Sequence, residues 1–119
     1  MGMTYITAGV MNASNLKQQL QMDFIVDSGA LYSVVPRAIL KRLRIKARGS
    51  KSFILADGTK IVRKYGHAIF SFQGTEAASP VMFGEEGDTP LLGIVSLEAL
   101  GYILDPLKRE LRPVPMMLG

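Results

Sequence analysis

The second half of the chain carries a strand pattern that leaves little room for anything but a β-rich fold. The runs Phe53 to Ala56 and Thr59 to Val62 flank Asp57-Gly58, a strong short-range signal for a β-hairpin turn. From Gly66 to Gln73, apolar residues recur at every second position, as in a strand with one buried face. These segments predict a mostly β domain whose strands close into a barrel-like sheet.

Helical segments are predicted to be few and short. Pro36 opens a helix over Arg37 to Leu43, because a proline at the first helical position loses no hydrogen bond. Ser96 is expected to cap one further turn that stops at Gly101. The remaining apolar runs are predicted strands or short buried segments, and they lie at Met3 to Val10, Gln21 to Val26, Ser33 to Val35, Ala77 to Phe83, Thr89 to Ile94 and, as a closing hairpin, at about residues 102–114.

Length and composition suit one globular domain. The chain has 119 residues, of which 48% are hydrophobic and 20% charged, so we expect a single domain over residues 1–119. It has no cysteine, which excludes disulfides, thiolate metal sites and a cysteine nucleophile. Since no apolar run approaches the ~18 residues of a membrane span and no signal-peptide pattern is visible, we expect a cytoplasmic protein with no membrane contact.

The positive charge is unevenly distributed. The chain carries a net charge of +4, and the segment Arg37 to Lys51 contains many basic residues and no acid. Such a cluster suits nucleic acid or an acidic partner. Because it lacks interleaved aromatic residues and any recognised nucleic-acid motif, a solvated basic face is the favoured interpretation, and nucleic acid is not expected as a partner.

Asp27-Ser28-Gly29 is the strongest candidate for chemistry. The strand-forming run Phe24 to Val26 delivers the acid where a strand leaves the core, and Gly29 permits the turn. Asp, Ser and Gly are common turn residues, so the carboxylate is either a turn former or a catalyst. Other candidates are weaker: His67 stands in the middle of a strand, and the loop Gly84 to Asp88 is too acidic to hold phosphate.

Three motifs, taken in order, resemble the retropepsin-like aspartic proteases, in particular their cellular, prokaryotic-type members. Phe24 to Ala30 resembles the family's apolar-apolar-Asp-Ser/Thr-Gly-Ala signature. The hairpin at about residues 52–64 is similar to the family's flap. Leu91-Leu92-Gly93 resembles the second apolar-apolar-Gly signature, which a helix follows. The resemblance covers nearly the whole chain, and the ordered set is more specific than any one motif.

The resemblance implies an acid-protease barrel that is active as a homodimer. The family's mechanism needs two acids that share a proton across a water, and this chain carries one such motif, so a second copy would supply the other acid. Asp27 would be catalytic, with Ser28 and Gly29 supporting the site. The substrate would be a peptide or protein, contacted by Ala30, Leu31, Ala56, Asp57, Gly58, Leu92 and Ile94. No metal and no other cofactor is implied.

Two departures from the viral members concern specificity. Viral enzymes carry an acid soon after the first turn and an arginine after the second glycine, whereas Leu31 and Ile94 stand at these places here. Because both are apolar together, no buried charge is left without its partner. We therefore expect a more apolar cleft. The C-terminal hairpin is expected to contribute to the dimer interface.

Three interpretations stay open at this point. The favoured one is a homodimeric aspartic endopeptidase in which two Asp27 carboxylates activate a water by general acid–base chemistry. The second is a catalytically silent dimer of the same fold that binds peptide or protein. In the third, the segment Arg37 to Lys51 binds nucleic acid and Asp27 is structural.

Overall fold

The computed structural model describes residues 3–105 and 107–114. Within these residues the predicted fold class is confirmed, since strands dominate and both helices are short. In chain order the elements are β1 (Thr4–Asn12), β2 (Asn15–Val26), β3 (Ser33–Pro36), α1 (Arg37–Arg42), β4 (Gly49–Ile54), β5 (Lys60–Phe72), β6 (Thr75–Gly84), β7 (Leu91–Leu92), α2 (Ile94–Leu100), β8 (Tyr102–Asp105) and β9 (Glu110–Pro113).

Seven of the strands form one sheet that closes on itself. Their order is β1-β2-β7-β3-β6-β5-β4, and β1 also pairs with β5 through Val10 and Phe70. The extra pairing closes the sheet into the predicted barrel and leaves β4 as an extension along β5. Strands β8 and β9 form a separate antiparallel pair, which confirms the C-terminal hairpin. In the described part of the chain, neither helix is long and apolar enough to cross a membrane.

The core lies inside the closed sheet and is filled by alternate residues of the strands. Phe24 of β2 and Phe70 of β5 are fully buried, and their rings meet edge to face with centroids 6.0 Å apart. Helix α1 adds Leu40, and α2 adds Leu97 and Leu100. Burial of each such side chain stabilises the fold by about 1.5–3 kcal/mol, so the two short helices are held by packing rather than by their own propensity.

Strand β2 begins six residues earlier than the sequence indicated. Residues 15–20 are mostly polar and precede the strand predicted from Gln21, yet they pair with β1, for example Gln19 with Met11 and Leu20 with Val10. Both faces of this stretch are largely exposed. Without a buried face there is no apolar alternation, and the sequence therefore carries no strand signal here.

The hairpin predicted at about residues 52–64 is present and is longer than predicted, and its role as a flap stays a prediction. Strands β4 and β5 pair from Gly49–Tyr65 to Ile54–Lys60. The connecting loop has three residues, not two, because Leu55 and Thr59 close it through a hydrogen bond of 2.8 Å between the Leu55 N–H and the Thr59 carbonyl. Gly58 has a φ of 86°, which is the left-handed glycine that three-residue hairpin loops commonly require.

Candidate active site

Asp27 is fixed at the end of β2 by contacts on both sides. Its N–H donates to the Leu92 carbonyl at 3.1 Å, which continues the parallel pairing of β2 with β7. One carboxylate oxygen, Oδ1, accepts a hydrogen bond of 2.8 Å from the Gly29 N–H. The Asp27 carbonyl accepts another from the Ala30 N–H at 3.2 Å. The half-buried carboxylate is thus held by the barrel and by its own loop, with Ser28 exposed beside it.

The chain that leaves this loop binds the beginning of α2. The Ile94 N–H donates to the Ala30 carbonyl at 2.8 Å, and the Val95 N–H donates to the Leu31 carbonyl at 3.0 Å. The first N–H groups of a helix have no partner within the helix, so these carbonyls satisfy two of them. The structure therefore brings Ala30, Leu31 and Ile94 together next to the Asp27 loop, and their contact with substrate stays a prediction.

Gly93 makes this crossing possible. A Cβ at this position would lie 2.7 Å from both the Leu31 carbonyl oxygen and the Tyr32 carbonyl carbon. These are backbone atoms that cannot swing aside, so only glycine fits between β7 and α2. The glycine of the Leu91-Leu92-Gly93 motif is explained by close approach of two backbone segments.

The prediction that Leu92 contacts substrate is wrong. Its side chain is 0% exposed and belongs to the core cluster. Leu92 serves the site through its backbone, since its carbonyl accepts the Asp27 N–H. Ser96 also needs correction, because α2 begins after Gly93 and Ser96 lies buried within the helix rather than at its start.

Ser96 belongs to a buried hydroxyl cluster that the sequence did not reveal. Its Oγ is hydrogen-bonded to the Oγ atoms of Ser33 and Ser79, the latter at 2.7 Å. Ser33 Oγ also accepts the Gly93 N–H at 3.0 Å. The cluster joins β3, β6 and α2 directly behind the crossing, and among the described residues no buried side-chain nitrogen or oxygen lacks a partner. Single serines inside apolar runs form no recognisable pattern, so sequence reasoning missed them.

The flap tip consists of Ala56, Asp57 and Gly58, all exposed. Asp57 stabilises the turn, because its Oδ1 accepts the Thr59 N–H at 2.9 Å. Hydrogen bonds from Thr59 lower the pKa of the Asp57 carboxyl. Contact of this tip with substrate stays a prediction.

The flap strands expose large apolar side chains near the tip. Ile54 and Val62 are 71% and 60% exposed, and Leu55 is exposed beside them. Leu31, four residues after Asp27, is also exposed. Monomeric proteins rarely leave such groups of apolar side chains uncovered without a binding role.

Lys51 connects the base of the flap to the segment that follows the Asp27 loop. Its ammonium group lies 5.6 Å from the ring centroid of Tyr32 and 4.8 Å from that of Tyr65. Both distances fall within the range of cation–π attraction. The sequence placed Lys51 in the basic segment but did not indicate this contact with Tyr32, because a spacing of nineteen residues (51 minus 32) carries no motif.

A second contact anchors the flap through Arg63 of β5. Its guanidinium donates two hydrogen bonds to Asp88, from Nε to Oδ2 at 2.7 Å and from Nη2 to Oδ1 at 3.0 Å. The Glu85 N–H also donates to Asp88 Oδ2 at 2.8 Å. The hydrogen bond from Arg63 lowers the pKa of the Asp88 carboxyl, and Asp88 in turn raises the pKa of Arg63. The acidic loop before β7 is thereby tied to the flap.

Replacing Asp88 with Asn is expected to lower the free energy of unfolding at neutral pH by about 1–2 kcal/mol, because a bidentate, charge-assisted pair is lost. Folding depresses the pKa of Asp88 below 3.8, so its stabilisation is complete above the unfolded value and is lost as the pH falls through the folded one. Urea unfolding should therefore show a difference from the parent that shrinks well below pH 3.8. Glu86→Gln, an exposed change in the same loop, is the control. If Asp88→Asn lowered the free energy of unfolding by the same amount at neutral and at acidic pH, the assignment would be contradicted.

Other titratable groups are not assembled into a metal site. Within residues 3–105 and 107–114, no group of three or more His, Asp or Glu side chains is placed to hold a metal ion. His67 is exposed in β5, with its ring edge to face against Tyr65. The interpretation of His67 as an ordinary strand residue is confirmed.

Comparison with known proteins agrees with this geometry. A family model described as aspartyl protease matches residues 13–95, a range that contains the Asp27 loop, the flap hairpin and Leu91-Leu92-Gly93. The chain belongs to the aspartyl protease family, and the family-level recognition made from its sequence is confirmed.

The chain was also compared with solved structures and with curated proteins. The crystal structure of a retropepsin-like aspartic protease from Rickettsia conorii is similar to this chain at 22% identity, with a TM-score of 0.47. The similarity covers 87% of this chain and 85% of that one. No match was found among curated proteins.

Proposed function

We propose that this chain is a homodimeric aspartic endopeptidase. Two Asp27 carboxylates, one from each copy, would together catalyse the hydrolysis of a peptide bond bound between them. The observation that carries the proposal is the half-buried Asp27 carboxylate, held by the Gly29 N–H at 2.8 Å and placed by the Leu92 carbonyl. The chain contains this Asp-Ser-Gly sequence once. One carboxyl group cannot serve at the same moment as base toward water and as acid toward the substrate carbonyl.

A two-fold axis beside the Asp27 loop would supply the missing group. Such an axis places each residue opposite its own equivalent, so Asp27 would face the Asp27 of the second copy. Two carboxylates at close range cannot both ionise cheaply, and they hold one proton between them, as aspartic proteases in general do.

The division of labour within that pair follows from the shared proton. The ionised Asp27 removes a proton from the water that attacks the scissile carbonyl carbon, and the protonated one donates to the carbonyl oxygen as it gains charge. The tetrahedral intermediate then collapses: the Asp27 that took a proton from water donates it to the nitrogen as the C–N bond breaks, and the other Asp27 recovers its proton from a hydroxyl of the intermediate. The Gly29 N–H keeps each carboxyl group oriented throughout.

The exposed apolar side chains support a peptide substrate with apolar residues. Leu31 stands beside the Asp27 loop, and Ile54, Leu55 and Val62 lie on the flap. Closure of the flap over a peptide would cover these side chains and remove water from the reacting groups. Ala30, Leu31 and Ile94 would contact one side of the bound peptide, and the flap tip would contact the other side.

Exposed apolar residues near the ends of the described chain support dimerisation. Met3 and Tyr5 at the start of β1 are exposed, as are Ile103 of β8 and Leu107 of the connecting loop, the last at 93%. A second copy would bury such side chains at an interface. This extends the expected role of the C-terminal hairpin to the first strand.

The test is whether activity follows dimer formation. Peptidase activity per chain should rise with protein concentration and level off, in parallel with the dimer fraction measured by sedimentation equilibrium, because a monomer holds half of the site. Cleavage by a chain that sediments as a monomer would contradict the proposal. A dimer that binds peptide at acidic pH but never cleaves it would favour the silent binding module instead.

A further inference from the structure

The basic segment lines a groove that the proposed active site does not use. The groove has a volume of about 810 Å³ and lies between α1, the loop that follows it, strand β5 and the end of β6. Its rim carries the basic side chains of Arg37, Lys41, Arg44, Lys46 and Lys64. Most cations of the basic segment are exposed, as predicted for a solvated face, and four of them lie around this concavity together with Lys64.

The backbone that carries these cations is fixed by specific contacts. Asn12 Nδ2 donates to the carbonyls of Leu43 and Arg44, at 2.9 and 3.0 Å. Arg44 adopts a left-handed backbone with a φ of 60°, which few non-glycine residues adopt without such support. Gly66 allows the Lys46 carbonyl to approach β5, since a Cβ there would lie 2.8 Å from its oxygen. These contacts therefore fix the backbone positions of Arg44 and Lys46.

The floor of the groove is apolar. Ile45 and Phe83 contribute side chains that are 7% and 8% exposed, and Ala38 and Ala47 lie beside them. Glu85 is the acid among the lining residues that the structure describes, and it lies 3.6 Å from Arg37. The remaining rim cations are left to attract a ligand that combines negative charge with apolar side chains.

We propose that this groove is a docking site for an acidic peptide segment of a protein partner, with its carboxylates on the basic rim and its apolar side chains against the exposed Ala38 and Ala47 beside the floor. A nucleic acid fits the same observations less well. Single strands are bound by stacking bases on exposed aromatic rings, and Phe83, the aromatic residue of the groove lining, is nearly buried.

The groove lies on the face of β5 opposite the Arg63–Asp88 contact, and Lys64 shares that face with the exposed Val62. Lys64 follows Arg63 along β5, and successive side chains of a strand point to opposite faces. Arg63 faces Asp88, so Lys64 faces away from that contact and lines the groove. If the proposed peptidase function holds, an acidic segment docked here would tether a protein substrate while another segment enters the cleft. Binding itself does not depend on that function.

The test measures binding to the Asp27→Asn chain, which removes the proposed nucleophile activation and so prevents loss of the probe. The probe is a fluorescein-labelled peptide of alternating Glu and Leu, followed by anisotropy at low ionic strength. Lys46→Glu with Lys64→Glu should raise Kd at least about 10-fold, because two attractive contacts become repulsive. Added salt should weaken binding of the peptide to the Asp27→Asn chain that keeps both lysines, because salt screens exposed charges.

The control is Lys17→Glu with Lys108→Glu, an equal change in net charge at exposed positions outside the groove. It should leave Kd within about 2-fold of the parent, given that distant exposed charges are screened. Equal weakening by both double variants would overturn the proposal, as would equally tight binding of a Lys-Leu peptide. Tighter binding of single-stranded DNA that is lost in the groove variant would assign the site to nucleic acid instead. None of these outcomes bears on cleavage at Asp27.

Discussion

The Asp27→Asn chain is expected to fold and dimerise normally and to cleave peptide at least about 10,000-fold more slowly, since the paired acid and base are both lost. The amide keeps an oxygen that can accept a hydrogen bond from the Gly29 N–H. The 2.8 Å hydrogen bond that holds the loop should therefore be preserved. Cleavage of an apolar peptide, circular dichroism and sedimentation equilibrium together measure these expectations. They separate the loss of chemistry from the loss of structure.

The matched control is Asp23→Asn on the same strand. Asp23 is an exposed carboxylate of β2 whose Oδ1 accepts a hydrogen bond of 2.6 Å from the Thr7 hydroxyl. Its replacement removes one negative charge four residues before Asp27 and should leave cleavage nearly unchanged. If Asp27→Asn cleaved as fast as the Asp23→Asn control, Asp27 would be only a turn former.

Mixing the two chains tests the shared site directly. When equal amounts of the parent and the Asp27→Asn chain are unfolded and refolded together, random pairing gives about one quarter parent dimers, and only those carry two carboxylates. Activity should therefore fall to about a quarter of the parent alone at the same total concentration, and not to the half that independent monomers would give. Retention of half would show that each chain works by itself.

The barrel and the Asp27 loop were predictable because their signals are local. The apolar run before Asp27, the glycine after it and the Asp57-Gly58 turn each constrain the backbone within a few residues. The flap hairpin was found for the same reason. Its loop length was misjudged by one residue, because Asp-Gly occurs in both two- and three-residue loops and the pairing of Leu55 with Thr59 decides between them.

The contacts that hold the site in place were not predictable, because they join residues that are distant in sequence. Arg63 and Asp88 meet across the flap base, and Ser33 meets Ser96 behind the crossing. Leu92 shows a different kind of error. It was predicted to contact substrate because its neighbours in the motif were. Its position two residues before Ile94 placed it near the cleft in sequence, whereas the alternation of β7 turns its side chain into the core.

Gly93→Ala is expected to have the largest effect on stability of any single methyl addition near the site. Overpacking of an interior normally costs about 1–3 kcal/mol, and a clash with fixed backbone belongs at the upper end of that range or above it. The added Cβ would lie 2.7 Å from the Leu31 carbonyl oxygen and the Tyr32 carbonyl carbon. Urea unfolding should show a midpoint well below that of the parent, or no folded protein at all.

Gly9→Ala provides the comparison, because both glycines are buried. A Cβ at Gly9 would meet side-chain atoms of Gln19, the closest being its terminal Nε2, and this exposed side chain can rotate away. Its cost should be well under that of Gly93→Ala. Equal costs would mean that the chain between Asp27 and β3 yields easily, and that the crossing does not hold the loop.

The same substitution should also reduce cleavage in whatever fraction still folds. To relieve the clash, the Leu31–Tyr32 backbone must move away from α2, which would lengthen the hydrogen bonds from Ile94 and Val95 to Ala30 and Leu31. The Asp27 loop is continuous with that segment, and a displacement of about 1 Å is enough to cost on the order of 100-fold in rate. Full activity per folded Gly93→Ala dimer would show that Asp27 is positioned by β2 alone.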